Sequence, residues 1–302
     1  MLLHEKMKHT KFSAAETQVV NFLLTQPMTI EELTIKEIAQ ATFVNDSTLI
    51  RVAKKLDFTG WIELKKAFLA EYRYLHTHFD QIDANLPFQH TDGLMTIANK
   101  MALLEKTTTA DTLSLLNHEK LKQARAFLLN AKAIKIFGSN ANTLIAQDFA
   151  LKMRRINQNV VICDTYGEHA YEAHNCQSDE CTILISYTGE NPMILQTANI
   201  LKQRSVPIIA LTSIGDNSLA TLADNILQIT TRERLYSKIG NFTTNTSLCY
   251  LLDVLYSCVF AANYQRNMNH LIQVGELVDR RKSSSEIMAE KQLLFPESFR
   301  PN

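Results

Sequence analysis

The stretch "ILISYTGENPMILQTANILKQRSVPIIALT", residues 183–212, decides the fold of this chain. A short apolar run ends in a loop with Ser186, Thr188 and Gly189. Asn191-Pro192 then opens a helical segment, and a second apolar run follows. Strand, loop, helix and strand in this order are typical of a parallel sheet. Because a hydroxyl-rich loop that leads into a helix offers donors to an anion, the stretch predicts an α/β fold with an anion-binding loop.

The same alternation extends over the chain from about residue 132. Short apolar runs rich in β-branched residues are separated by helical segments at 143–155, 192–204 and 218–224. The predicted strands are "AIKIF", "NVVIC", "TILIS", "PIIAL" and "NILQI". This pattern predicts a doubly wound parallel sheet with helices on both faces.

The first 78 residues show helical signals and no strand signal. Capping boxes at Ser13 and Thr34 predict two helix starts, and Pro27 ends the helix that follows the first box. A third helix is expected from about Asn45 to residue 56, after a tight connection at residues 42–44, and a longer helix follows Gly60. We therefore predict an all-α domain at 1–78, a helical linker at 79–106, the α/β domain at 107–280, and a poorly ordered polar tail at 281–302.

Charge and composition exclude several classes of protein. Lys+Arg and Asp+Glu both number 31, so any nucleic-acid contact must come from a local basic patch. The five cysteines form no CxxC pair, which predicts reduced, mostly buried thiols and neither a metal site nor a cofactor. The N-terminal segment lacks the apolar core of a signal peptide, and the most apolar stretch, 248–262, is shorter than the roughly 20 residues of a membrane span. We expect a cytoplasmic protein outside the membrane, with residues 248–262 as a core or dimer-interface helix.

Residues 34–61 have the spacing of a helix-turn-helix. In the second helix Leu49, Ala53 and Leu56 share one face, while polar and cationic side chains fall largely on the other. Short polar side chains at a helix N-terminus reach base edges and phosphates, and Arg51 can contact a guanine bidentately. The predicted DNA-binding residues are Asn45, Asp46, Ser47, Thr48, Arg51, Lys54 and Lys55. A helical bundle that binds a protein partner has the same apolar pattern and remains the alternative.

The stretch "TIKEIAQATFVNDSTLIRVAKKLDFTGWIELKKAF", residues 34–68, resembles the RpiR family of bacterial transcription regulators. The shared features are T-I-x-E-I-A, V-x-x-S-T-x-x-R, K-K-L and F-x-G-(aromatic)-x-E-L-K. The family often has Ser where Asn45 stands and Gly where Asp57 stands. Asn caps a helix as well as Ser does, whereas Asp57 adds a negative charge near the DNA-facing end.

Members of that family carry a sugar isomerase (SIS) domain, and residues 107–280 resemble one in the order of their motifs. The fold class implied is an all-α helix-turn-helix domain followed by an α/β doubly wound, SIS-like domain. In such domains two loops hold a phosphosugar. One resembles G-x-G-x-S and reads here GSNAN, 138–142, and the other resembles S-x-S-G-x-T and reads SYTGEN, 186–191. The ligand-binding residues this implies are Ser139, Asn140, Asn142, Ser186, Thr188, Gly189 and Asn191.

Departures from those motifs leave three interpretations open. Asn140 stands for a glycine, Asn142 for a serine and Asn191 for a threonine, while Glu190 adds a negative charge beside the anion site. Asn followed by Pro is also an ordinary helix start. The site binds a phosphorylated sugar, binds a related acid or polyol, or serves only as a dimer scaffold.

An enzyme is the second class considered. Aldose–ketose isomerisation needs a general base, for which Glu168, His169 and Glu233 are the candidates, although none has a local catalytic signature. We expect no catalytic residue. The predicted partners are a double-stranded DNA operator, a phosphosugar or similar effector, and a second copy of the chain, because helix-turn-helix proteins usually bind two half-sites as dimers. A sugar-sensing module that binds a protein and not DNA is the remaining alternative.

Overall fold

The computed structural model describes residues 1–77, 79–165, 167–281 and 287. Six helices form the N-terminal domain. They are α1 (Leu3–His9), α2 (Ala14–Thr25), α3 (Pro27–Glu32), α4 (Ile35–Ala41), α5 (Asp46–Lys55) and α6 (Trp61–Leu75). The predicted all-α domain is confirmed.

Local sequence sets the boundaries of these helices. Ser13 and Thr34 each cap a helix through a complete capping box with the Glu three residues later. Helix α5 ends in a left-handed residue, Asp57 (φ 68°), and the N–H of Phe58 donates to the carbonyl of Ala53 over 2.9 Å. This is a Schellman ending, which explains why a glycine is common at this position in the related sequences.

The core of the N-terminal domain lies between α2, α5 and α6. Leu23, Leu49, Val52 and Leu64 are fully buried there. Helix α5 therefore packs on its neighbours through one apolar stripe and leaves its opposite side to solvent.

The second domain is built on a five-stranded parallel sheet. Its strands are β1 (Ile134–Phe137), β2 (Val160–Cys163), β3 (Cys181–Ile185), β4 (Ile208–Thr212) and β5 (Asn225–Gln228). All five predicted strands are present. They lie in the order β2-β1-β3-β4-β5, so the chain reverses its winding direction between β1 and β3. Ligands of such sheets bind at the carboxyl ends of the strands beside this switch point.

Helices cover both faces of the sheet. The helices are α7 (Leu94–Leu115), α8 (His118–Asn130), α9 (Ala141–Arg155), α10 (His169–His174), α11 (Pro192–Gln203), α12 (Ser218–Leu222), α13 (Phe242–Ala262) and α14 (Tyr264–Val278). One apolar layer joins the sheet to α8, α9 and α13, and the other joins it to α10, α11 and α12. The predicted doubly wound architecture is confirmed.

Helix α13 is long and apolar enough to cross a membrane by length and composition alone. In the structure it packs against α7, α8 and α9, and Leu248, Leu251 and Leu255 are fully buried in the larger apolar layer. Residues 248–262 therefore form part of a helix that packs in the core, which is one of the two alternatives that the sequence left open.

Other expectations have mixed outcomes. Helix α7 runs unbroken through residue 106 and packs on α13, so no element boundary lies at the predicted start of the α/β domain. The predicted tail falls outside the described residues except for 281 and 287. The five thiols are unpaired, and three of them are buried. Burial raises the pKa of the Cys163 thiol to about 12, which leaves it protonated and unreactive.

Candidate nucleic-acid interface and ligand site

The exposed side of α5 and the turn before it carry five of the predicted DNA-binding residues. The side chains of Asn45, Asp46, Ser47, Arg51 and Lys54 all lie on the solvent side. Within the described residues, the Lys54 side chain makes no hydrogen bond or ion pair. The polar residues of the first turn of α5 therefore form one surface with Arg51 and Lys54, which follow one and two turns later. Binding in the major groove requires a surface of this kind.

Thr48 lies on the other side of the helix and is a correction to the predicted DNA contacts. Its side chain is only 2% exposed, and its hydroxyl accepts a hydrogen bond from Arg51 Nη2 over 3.0 Å. The 3.6-residue period places Thr48 beside Val52, on the edge of the apolar stripe. Thr48 therefore orients Arg51 and does not itself reach a base.

Lys55 is a second correction, because its charge is used inside the domain. Its Nζ lies 2.6 Å from Oε2 of Glu16, which is 3% exposed, and lies over the ring of Phe12. The hydrogen bond from Lys55 lowers the pKa of the Glu16 carboxyl. Sequence spacing alone did not identify this pair, since its partners are 39 residues apart.

Asn45 and Asp57 differ from their expected roles in detail. Asn45 occupies the N-cap position of α5, but its side chain makes no capping hydrogen bond. The Asp57 carboxylate pairs with Lys6 Nζ over 3.0 Å, and the same ammonium lies 3.0 Å from Asp216 of the second domain. The negative charge that the sequence places near the DNA-facing end is thus partly neutralised by α1.

The two predicted ligand loops meet at the switch point of the sheet. Phe137 pairs with Leu184 in register, so the loops that follow β1 and β3 leave adjacent strands side by side. A Cβ added to Gly138 would lie 3.7 Å from Cβ of Ile185 and 3.4 Å from Cβ of Asn142. The first loop therefore packs directly against the end of β3, at ordinary van der Waals distance.

The first loop contains a strained asparagine. Asn140, the N-cap residue of α9, has φ 55° and ψ −129°, a conformation that suits glycine and strains a residue with a side chain. Its carbonyl accepts a hydrogen bond from the Thr143 hydroxyl over 2.9 Å, which holds the turn. Within the described chain, the Ser139 hydroxyl and the side-chain amide of Asn142 have no hydrogen-bond partner, so both are available to a ligand.

The second loop makes a tight glycine turn and presents hydroxyls. Gly189 has φ 69°, and a Cβ there would lie 2.0 Å from Oδ1 of Asn217, so only glycine fits. Thr188 Oγ1 accepts a hydrogen bond from the Glu190 N–H over 3.1 Å and keeps its own proton to donate. Ser186 is 5% exposed, and its hydroxyl has no partner among the described residues. Ser186 and Thr188 thus supply two donors beside the first loop.

Asn191 is a further correction. Its Oδ1 accepts hydrogen bonds from the N–H groups of Met193 (3.0 Å) and Ile194 (3.3 Å), so its side chain caps α11. The interpretation as an ordinary helix start is therefore the correct one for this residue. The α11 amides that it occupies are not available to an anion.

Glu190 does not place its charge against the cleft. Its carboxylate accepts hydrogen bonds from the Ser218 N–H (2.8 Å) and hydroxyl (2.7 Å) at the start of α12. The backbone N–H of Ser218 and then its hydroxyl lower the pKa of the Glu190 carboxyl. The carboxylate therefore anchors the second loop to α12.

His169 lies nearer to the first loop than the sequence indicated. It is 5% exposed, its Nε2 lies 3.3 Å from the carbonyl of Gly138, and its Nδ1 is buried with no partner among the described residues. Its only sequence signal was a histidine shortly after β2. The structure brings it to the switch point because the β2 and β1 carboxyl ends are adjacent.

The remaining candidate bases are poorly placed for proton transfer. Glu168 is exposed to solvent. Glu233 is 7% exposed, and its carboxylate is saturated by Lys238 Nζ (2.7 Å) and by the N–H and hydroxyl groups of Thr243 and Thr244 at 2.7–3.0 Å. Glu233 therefore caps α13, and no lone pair is left to abstract a proton from a substrate.

Comparisons with known proteins agree with this geometry. The model of the rpiR-family helix-turn-helix domain matches residues 1–73, and the SIS domain model matches residues 127–257. A helix-turn-helix-type transcriptional regulator of Caldanaerobacter subterraneus subsp. tengcongensis is 25% identical over 276 residues, which cover 90% of this chain and 95% of the relative.

Two solved structures share the fold. The Vibrio vulnificus NanR protein, complexed with ManNAc-6P, aligns with a TM-score of 0.57 at 18% identity and covers 91% of this chain and 97% of its own. The sugar isomerase domain of an RpiR transcription factor from Sphaerobacter thermophilus aligns with a TM-score of 0.53 at 16% identity, over 60% of this chain and 98% of its own.

The fold and the two motif sets define a class of protein, a helix-turn-helix regulator of transcription with a sugar-isomerase-type sensory domain. Within that class, the chain belongs to the RpiR family.

Proposed function

We propose that this protein binds an operator through α5 and that a phosphorylated sugar, bound between the loops at 138–142 and 186–191, changes its DNA affinity. The observation that carries the proposal is the presence of both sites in one chain. An exposed Ser47–Arg51–Lys54 surface on α5 accompanies two adjacent loops at the sheet's switch point, which carry the Ser139, Ser186 and Thr188 hydroxyls. Hydroxyl donors, together with the N-terminus of α9, suit a phosphate group.

The sugar part of the ligand is inferred from the class of the domain. NanR, whose fold is similar, was solved with ManNAc-6P. Asn142 lies in the first loop, and the buried His169 lies beside that loop. They offer an amide and an imidazole group to sugar hydroxyls. Ser139, Asn142, Ser186 and Thr188 are the residues we assign to the ligand, while Asn191 serves α11.

The proposal assigns no catalysis to the chain. The Glu233 carboxylate is fully occupied by α13 and Lys238, and Glu168 faces solvent. Turnover of any phosphosugar that is lost on changing His169 would overturn this part of the proposal. We further propose that the protein acts in the cytoplasm as a dimer, since its DNA and its sugar phosphate are found there and two recognition helices match two half-sites.

A melting panel tests the ligand. Sugar phosphates, including amino and N-acetylated ones, are compared with their unphosphorylated parents by thermal shift. A ligand at 100 times its Kd should stabilise the protein by about 2.7 kcal/mol. The proposal predicts a shift with one phosphorylated sugar, none with its parent, and loss of the shift in Ser186→Ala. A shift with unphosphorylated compounds alone would contradict the phosphate assignment.

The DNA assignment needs its own variant. A chain whose N-terminal helical domain binds a protein and not DNA would give the same thermal shift with a sugar phosphate. Arg51→Ala should weaken binding to the preferred duplex by about 1–3 kcal/mol and relax the sequence preference at one position. If the parent protein and Arg51→Ala bind that duplex with equal affinity, α5 is ruled out as the recognition helix.

A further inference from the structure

Residues 230–239, here the connecting segment, lie between the second ligand loop and the DNA-binding domain. The segment follows β5 and precedes α13. The segment belongs neither to the helix-turn-helix motif nor to the two ligand-loop motifs. Its side chains and backbone nevertheless form hydrogen bonds with both the second ligand loop and the DNA-binding domain. The inference below rests on the proposed function, since it concerns how the ligand cleft acts on DNA.

Tyr187 ties the second ligand loop to the connecting segment. Its hydroxyl donates to the carbonyl of Glu233 over 2.8 Å and accepts from the N–H of the same residue over 3.0 Å. Tyr187 stands between the ligand residues Ser186 and Thr188. A shift of this loop is therefore passed to the backbone at 233 through two hydrogen bonds on one phenol oxygen.

Arg232, the preceding residue, ties the segment to the DNA-binding domain. Its guanidinium donates to the carbonyls of Tyr74, Leu75 (3.0 Å) and Thr77 (3.1 Å), at the C-terminal end of α6. It also lies 4.3 Å from the centre of the Tyr74 ring. A cation at this end of a helix satisfies unpaired carbonyls and complements the helix dipole.

A buried acid fixes the position of this guanidinium. Asp111 on α7 is fully buried, and its carboxylate accepts hydrogen bonds from Arg232 Nη2 (2.8 Å), from the Tyr74 hydroxyl (2.8 Å) and from the Thr230 hydroxyl. The Tyr74 hydroxyl in turn accepts from the Thr231 N–H over 2.8 Å. These hydrogen bonds join α6, α7 and the connecting segment in one network that crosses the domain boundary at Tyr74.

The linker is held by the same segment. Asn85 donates through Nδ2 to the carbonyl of Arg232 (3.2 Å) and accepts through Oδ1 from the N–H of Arg234 (2.7 Å), and its carbonyl accepts from the N–H of Ile239 (2.9 Å). The chain that leaves the DNA-binding domain is therefore bonded along both ends of the connecting segment.

The neighbouring part of the domain boundary is open. A cavity of about 990 Å³ lies between α1 and α6 on one side and α12 and β5 on the other, and two of its lining residues, Lys6 and Asp216, form an ion pair between the domains. None of the ligand-loop residues 138–142 and 186–191 lines this cavity. Space of this size beside the Arg232 group leaves room for α6 to change its angle to the sheet.

We propose that the connecting segment couples the ligand cleft to the DNA-binding domain, with Tyr187 and Arg232 as the positioning residues at its two ends. Ligand binding displaces the loop at 186–191, Tyr187 moves the backbone at 233, and Arg232 carries the C-terminal end of α6 with it. Because α6 and α5 share one core through Leu64 and Leu49, the recognition helix turns with α6.

Hydrogen exchange of the full-length protein tests the coupling without a ligand. Tyr187→Phe removes one hydroxyl and keeps the ring, so both hydrogen bonds to residue 233 are lost while the loop stays packed. Tyr236→Phe, on the same segment and 91% exposed, is the matched control. We expect amides at residues 74–77 to exchange about three- to tenfold faster in Tyr187→Phe and unchanged in Tyr236→Phe. Exchange at 74–77 equal to that of the parent protein would overturn the proposal.

A second experiment separates this proposal from the proposed function. With ManNAc-6P as the probe, protection at both 186–191 and 74–77 is expected in the parent protein, and protection at 186–191 alone in Tyr187→Phe. The double variant Arg232→Gln/Asp111→Asn, which leaves no buried charge unpaired, should behave as Tyr187→Phe does. Protection at 74–77 that survives in both variants would refute the coupling. If the probe protects neither region, the ligand assignment fails for that sugar, and the ligand-free exchange still decides the coupling.

Discussion

Single residues in the DNA-binding domain and in the ligand loops show what the residues at motif positions do in the folded protein. Asn140 has a positive φ at a position where the related motif has glycine, so this chain tolerates the backbone strain. Thr48, Lys55 and Asn191 are motif positions whose side chains serve the fold. The type of residue at a motif position therefore does not define its role. The role is defined by the hydrogen-bond or ion-pair partner of that side chain in the folded protein.

Asn140→Gly should stabilise the protein. The substitution relieves a backbone conformation that costs about 1–3 kcal/mol for a residue with a side chain, against an entropic cost of about 0.5–1 kcal/mol for glycine. We expect the free energy of unfolding to rise by about 1 kcal/mol in a urea titration. Asn142→Gly is the control, since it lies in the first turn of α9 and should lower the free energy of unfolding by a few tenths of a kcal/mol. Equal effects of the two changes would show that Asn140 is unstrained.

Lys54 and Lys55 are adjacent and should differ in DNA binding. Lys54 is exposed without an intramolecular partner among the described residues, so Lys54→Ala should weaken binding to all sequences and lower the magnitude of the salt slope by about 1. Lys55→Ala should change the salt slope little, because Glu16 holds its ammonium. Anisotropy titrations at several salt concentrations measure both slopes. Identical slopes for the two variants would contradict the assignment of the Lys55 ammonium to the ion pair with Glu16.

The Glu16–Lys55 pair should make stability depend on pH in a defined direction. The folded-state pKa of Glu16 lies below its ordinary value of 4.5, so the pair stabilises the fold above pH 4.5, and this stability is lost as the pH falls through the folded-state pKa. At pH 7, Lys55→Met should cost about 1–2 kcal/mol, because it leaves a buried carboxylate without its cation. Urea titrations from pH 7 to pH 3 should show this difference shrinking. A difference that stays constant over that range would exclude a charge interaction.

Secondary-structure elements were the most predictable level of the molecule. The capping boxes at Ser13 and Thr34 and the five apolar runs gave helix starts and strands within a few residues, because these signals are local. The side-chain roles within an element were less predictable. Thr48 lies at the edge of the apolar stripe, where period alone does not separate buried from exposed, and the partner of Lys55 comes from another helix.

The start of α11 gives a prediction at this scale. Asn191→Ala removes two hydrogen bonds to the first turn and should lower the free energy of unfolding by about 1 kcal/mol. Asn191→Asp, which retains the acceptor and favours the helix dipole, should recover most of that loss. Thermal or urea unfolding measures both variants. If Asn191→Ala instead leaves stability unchanged and abolishes the sugar-phosphate shift, then Asn191 is a ligand residue after all.

At the scale of the whole molecule, the contact between domains is what the sequence did not reveal. Arg232 and Tyr74 are 158 positions apart, and a hydrogen bond between a guanidinium and the last carbonyls of a distant helix leaves no periodic or compositional trace. The strand order, by contrast, places the two ligand loops side by side once the alternation of strands and helices is known. The proposed regulation therefore depends on two sites in separate domains, which are joined by the connecting segment and by the Lys6–Asp216 pair.

The most direct test of the central claim is the DNA affinity of the full-length protein with and without its sugar phosphate. Duplexes selected from a random library by the parent protein, and not by Arg51→Ala, provide the DNA. The sugar phosphate that shifts the melt provides the effector. Anisotropy titrations should show an affinity change of about 5- to 150-fold, the usual range of allosteric coupling. An effector that binds tightly and leaves the DNA affinity unchanged would contradict the claim that this cleft regulates DNA binding.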